Sequence, residues 1–131
     1  MDKYTADHAS PKDQKAYDAS MRQQLEECIR LCLNCARACT ETLAYCHGMG
    51  GDHVQPEHLR LLLDCEEICQ LSAHYMLRGS EFHAQACGVC AQVCERCAED
   101  CEQFLDDATM ESCAELCSSC AESCMQMARM A

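Results

Sequence analysis

Large apolar side chains are scarce in this chain. Leu, Ile, Val and Phe together number 19 of 131 residues. A share below about 20%, combined with high net charge, ordinarily marks disorder, so an ordinary aliphatic core is excluded. Basic residues are few as well: ten Lys and Arg stand against 22 Asp and Glu, for a formal net charge of −12. That balance argues against nucleic acid and anionic membrane surfaces as partners and suits a soluble chain that attracts cations. No apolar run reaches the roughly 18 residues of a membrane-spanning helix. The stretch from Met1 to His8 has neither an apolar segment nor paired arginines. No export signal is therefore expected, and a cytoplasmic location with reduced thiols is.

What the chain has instead is cysteine, sixteen in all. Three ladders dominate: Cys28-Cys32-Cys35-Cys39, Cys87-Cys90-Cys94-Cys97-Cys101 and Cys113-Cys117-Cys120-Cys124. Steps of three and four residues draw a single stripe along an α-helix. In a bundle such a stripe faces the core. Free cysteine behaves as a small hydrophobe, so thiols take the positions that aliphatic residues leave vacant. Disulfides fit this spacing poorly. Helical neighbours four apart hold their Cβ atoms about 5–6 Å apart, whereas a disulfide wants about 3.5–4.5 Å.

Glycine and proline mark the joints. Gly48, Gly50 and Gly51 precede Pro56, and Gly79 precedes Ser80; both sites read as helix stops followed by new starts. Residues 1–17 are polar and carry no stripe, and form an N-terminal extension with a short helix after Pro11. Residues 18–131 form a Cys-rich domain of four helices, at about 18–47, 56–79, 80–104 and from Asp107 or Thr109 to the end. Ser80 is the expected cap of the third. The stripes run Leu25 to Cys46, His58 through Cys65 and Cys69 to Met76, His83 to Phe104, and Met110 to Met127. Short joins imply antiparallel neighbours. The fold class is therefore all-α: an up-down-up-down four-helix bundle with a Cys-lined core. That order brings Cys46, His58, Cys101 and Cys113 to one end, and Leu25, Met76, His83 and Met127 to the other. Gly88, inside the third helix, costs about 1 kcal/mol against alanine and either permits close backbone approach or serves no purpose.

Thiolate is the ligand of soft ions, and Cu(I) shares thiolates between neighbouring ions. Each bound thiol loses a proton and each Cu(I) adds one charge, so about one ion per cysteine, or about 16, keeps the core neutral. Zinc and iron–sulfur clusters, in a structural or redox role, are the alternatives. Zinc would call for isolated groups of four ligands, and ferredoxin clusters for a different spacing ending in proline. No lysine or arginine lies on the stripes to lower a thiol for redox catalysis, and nothing resembles an enzyme site.

Thiol stripes on four successive helices, a Gly-rich first turn and no export signal resemble the bacterial copper storage proteins of the Csp family, cytosolic branch, over about residues 18–131. The resemblance implies a bundle whose inward cysteines hold many Cu(I) ions: Cys28, Cys32, Cys35, Cys39, Cys46, Cys65, Cys69, Cys87, Cys90, Cys94, Cys97, Cys101, Cys113, Cys117, Cys120 and Cys124. It also implies homotetramers; besides copper ions, a copper chaperone is the other candidate partner. Copper is admitted at one end of the bundle, where this chain has Cys46, His47, Met49, His53 and His58. The bland alternatives are that His47 and His53 merely cap or solvate the turn, that His8 and His74 are surface residues, and that Met76, Met110 and Met127 plug the ends.

Overall fold

A computed structural model describes residues 11–130, with side chains from residue 19 onward. The expectations for residues 1–10, His8 among them, lie outside the described residues. Four helices follow one another: α1 Pro11–Met49, α2 Pro56–Leu77, α3 His83–Cys101 and α4 Ala108–Arg129, with a 3₁₀ turn at Gly51–Val54 between the first two. Each helix packs on two neighbours, α1 on α2 and α4, α3 on α2 and α4, and none packs across the diagonal. The result is the expected antiparallel square bundle. No helix among the described residues is long and apolar enough to cross a membrane.

The joints follow local chemistry. Gly79 takes φ +65°, a region costly for any residue with a Cβ. This lets Ser80 N–H reach Tyr75 O at 2.9 Å and Gly79 N–H reach Met76 O at 3.2 Å, the Schellman pattern that satisfies the last carbonyls of α2. Pro56 opens α2 at a position where its missing N–H costs nothing. Asp107 caps α4, its Oδ1 accepting from Met110 N–H at 3.1 Å.

Three boundaries differ from the sequence reading. Helix α1 begins at Pro11, not near residue 18. Helix α3 begins at His83, because Ser80 Oγ accepts from Phe82 N–H at 3.0 Å and holds a turn where a helix start was expected. At its other end α3 stops at Cys101; Gln103 and Phe104 donate to Asp100 and Cys101 carbonyls in tighter three-residue turns. That tightening swings Phe104 off the helical stripe and onto two histidine rings, at centroid distances of 4.5 and 4.7 Å.

All sixteen cysteines are free and buried, none more than 2% exposed. Alanines 36, 73, 86, 91, 98 and 114 share the interior, and Leu62, Met110 and Met127 are its largest fully buried side chains. The interior is thus assembled from small side chains, which lets four helices close around a narrow column of sulfur. Of the two readings of Gly88 the second fits: a Cβ there would meet Ala128 Cβ at 3.8 Å, an ordinary contact.

Candidate metal centre

The column is built from contacts between helices. From the far end, Cys28 and Cys32 Sγ lie 3.7 and 3.4 Å from Cys124 Sγ. Cys120 lies 3.7 Å from Cys32 and 3.8 Å from Cys69. Cys69 approaches Cys94 at 3.4 Å, and Cys65 approaches Cys94 at 3.6 Å and Cys117 at 3.8 Å. Cys35 joins Cys65 and Cys117 at 3.8 and 3.7 Å. These separations are far longer than a disulfide bond of about 2.0 Å and describe packed, unbridged thiols.

Four groups of sulfurs lie within 4.8 Å of one another: Cys28, Cys87 and Cys124; Cys32, Cys90, Cys120 and Cys124; Cys35, Cys69, Cys94 and Cys120; and Cys35, Cys39, Cys65 and Cys117. Cys124, Cys120 and Cys35 each belong to two groups, so the groups fuse into one file. The group at the far end has only three thiols. Helix α2 presents Ser72 near this level, and its hydroxyl donates to Ala86 O at 3.2 Å. Beyond it Met76 and Met127 are buried. His83 is taken up by its own turn, with Nδ1 2.9 Å from Ser80 O.

Neighbouring thiols set one another's acidity. Hydrogen bonds from Cys124 and then Cys32 bring the Cys120 thiol down to about 7, against a burial that raises it. At the near end the balance reverses. Burial first, then the negative charges of Cys113, Asp107 and Asp100, push Cys46 up to about 11. Cys46 therefore holds its proton at neutral pH until something displaces it.

Cys46 forms the near end with His58 and Met110: its Sγ is 3.3 Å from His58 Nε2 and 3.8 Å from Met110 Sδ. His58 is 3% exposed, so the sequence stripe places it correctly. On its outer side lies a cleft of about 690 Å³, lined in part by Asp52, Glu57, Arg60, Asp100 and Phe104. Three carboxylates against one guanidinium give its wall an acidic excess. The remaining candidates are dispersed. His47 is exposed with Nδ1 2.9 Å from Leu43 O, and Met49 is exposed at the end of α1. His53 Nε2 sits 2.8 Å from Asp107 Oδ2, and Tyr45 Oη donates to the same carboxylate at 3.0 and 3.1 Å. Sequence reasoning missed Asp100, Asp107 and Tyr45 here. Each lies off the sulfur stripe, and its role depends on a partner from another element.

Fold and site together define a class: a helical bundle whose interior is a continuous container of soft ligands. The profile of the family described as copper storage protein, Csp, matches residues 21–129, and the chain belongs to that family. Among solved structures, the Nmul_A1745 protein of Nitrosospira multiformis is 44% identical with a TM-score of 0.80, covering 84% of this chain and 99% of that one. The Cu(I)-bound copper storage protein BsCsp3 of Bacillus subtilis is 33% identical with a TM-score of 0.76, over 80% and 98%. A cytosolic copper storage protein of Streptomyces lividans is 26% identical with a TM-score of 0.72, over 82% and 94%. A cysteine-rich protein of Bacillus subtilis, YhjQ, is 34% identical over 71 residues, which are 54% of this chain and 66% of that protein, just under two thirds of its length.

Proposed function

We propose that this protein stores Cu(I) in the cytosol, holding many ions on the thiolates of its interior. The observation that carries this reading is the sharing of Cys35, Cys120 and Cys124 between adjacent groups. Shared thiolates are the chemistry of Cu(I), whereas structural zinc uses closed sets of four. Charge balance gives a capacity of about 16 ions, one per thiol. Support for the cytosolic assignment comes from the Streptomyces relative. The role is one of holding, not turnover.

Copper enters at the end where Cys46, His58 and Met110 meet, with His47, Met49 and His53 on or near the rim. A copper chaperone delivers it, and four copies assemble into a homotetramer. The storage domain comprises residues 18–131, and the polar N-terminal extension, residues 1–17, contributes no thiol to the store.

The test is an anaerobic titration of reduced apo-protein with Cu(I) against a chromogenic chelator. Uptake of about one ion per thiol is expected. Saturation at four ions or fewer, or preferential retention of Zn(II), would sink the storage reading.

A further inference from the structure

Among the described residues His58 is the one imidazole within hydrogen-bonding distance of a cysteine sulfur, and both of its nitrogens are engaged. Nε2 faces Cys46 Sγ at 3.3 Å. Nδ1 is hydrogen-bonded to Asp100 Oδ2. The His58 side chain is 4% exposed and that of Asp100 15%, so the contact is largely shielded from water. The Phe104 ring, 4.7 Å away and tilted by 45°, lies against the imidazole.

An ionised carboxylate can only accept a hydrogen bond. The proton of a neutral His58 must therefore sit on Nδ1, and Nε2 must present its lone pair. That lone pair faces the Cys46 sulfur. Soft metals are held by the unprotonated nitrogen of imidazole, and a carboxylate on the other nitrogen fixes tautomer and ring orientation while raising basicity. The structure assigns Asp100 as the positioning residue of the copper mouth: it locks His58 in the tautomer that offers Nε2 beside Cys46, so that an incoming Cu(I) meets an imidazole and a thiol already in place. This rests on the storage reading for the identity of the ion, but not for the state of His58.

Two measurements test it. In reduced apo-protein, ¹⁵N NMR of the imidazoles, followed through the titration of His58, is expected to show its neutral form with Nδ1 protonated and Nε2 bare, and this preference is expected to be lost in Asp100→Ala. In stopped-flow transfer of Cu(I) from a chromogenic chelator, Asp100→Ala is expected to slow the first phase by about 10–100-fold, the usual penalty for losing the partner of a ligand histidine. Glu99→Gln removes an exposed charge one residue away and is expected to load at the wild-type rate. A neutral His58 that carries its proton on Nε2 in the wild type, an unchanged rate in Asp100→Ala, or equal slowing in Glu99→Gln would each overturn the assignment. If wild-type protein takes up only a few ions, the storage reading fails, and the apo-state spectrum still decides the role of Asp100.

Discussion

Asp107 serves three donors at once. It accepts from Met110 N–H as the cap of α4, from Tyr45 Oη on α1, and pairs with His53 from the turn after α1. Burial alone would raise its carboxyl. Hydrogen bonds from His53, Met110 N–H and Tyr45 outweigh that and hold it below the ordinary carboxylate value of 3.8. A group depressed on folding adds stability that is fully present above its unfolded pKa and lost as pH falls through the folded one. Asp107→Ala should therefore destabilise the apo-protein by about 1 kcal/mol at neutral pH, the usual worth of a helix cap. The gap between variant and wild type should close as pH falls below about 4. Thermal denaturation of the two proteins across that range reads both effects. None of this was legible in the sequence beyond the capping ability of Asp107. Its other two partners come from residues 45 and 53, and only the fold brings them together. Cys46, by contrast, was legible, because it continues the stripe of α1 at the three-and-four spacing.

At the scale of the elements, the stripes carried the fold. Sixteen thiols in phase on four segments determine which face of each helix turns inward. Pro56, Gly79 and Asp107 determine where the three joints fall. What was misread was the start of α1 and, for local reasons, both ends of α3. Ser80 has the chemistry of a cap but spends its hydroxyl on Phe82 N–H, one of the competing turns that serine readily makes. Phe104 has the spacing of a stripe residue but lies against His53 and His58. Spacing reports a face only while the helix lasts. Gly88 is the converse case, a helix-interior glycine with no structural demand upon it. A Cβ fits at 3.8 Å from Ala128 Cβ, and glycine inside a helix costs about 1 kcal/mol relative to alanine. Gly88→Ala should raise apo-protein stability by about 0.4–1 kcal/mol and leave copper capacity unchanged. A chemical denaturation midpoint that falls would place a packing role on Gly88 that the spacing to Ala128 does not indicate.

For the whole molecule, the decisive quantity is charge. The apo-protein carries a formal −12, and its interior is a file of thiols that must shed protons as it fills. One Cu(I) per thiolate exchanges one positive charge for one proton, so filling leaves both the interior and the net charge of the protein nearly where they began. Four Zn(II) ions on the same sixteen thiolates would instead add about eight negative charges, all of them inside a narrow helical tube. Burying that charge without counterions is strongly unfavourable, and the square bundle brings no lysine or arginine into the described interior to offset it. The file therefore selects monovalent ions by charge as well as by softness. Native electrophoresis reads this directly. Protein loaded with Cu(I) to capacity should migrate with nearly the mobility of the apo-protein, because shape and charge both persist. A marked gain in mobility toward the anode on loading would mean that thiolates outnumber the charges placed among them, and the one-to-one filling would have to be given up.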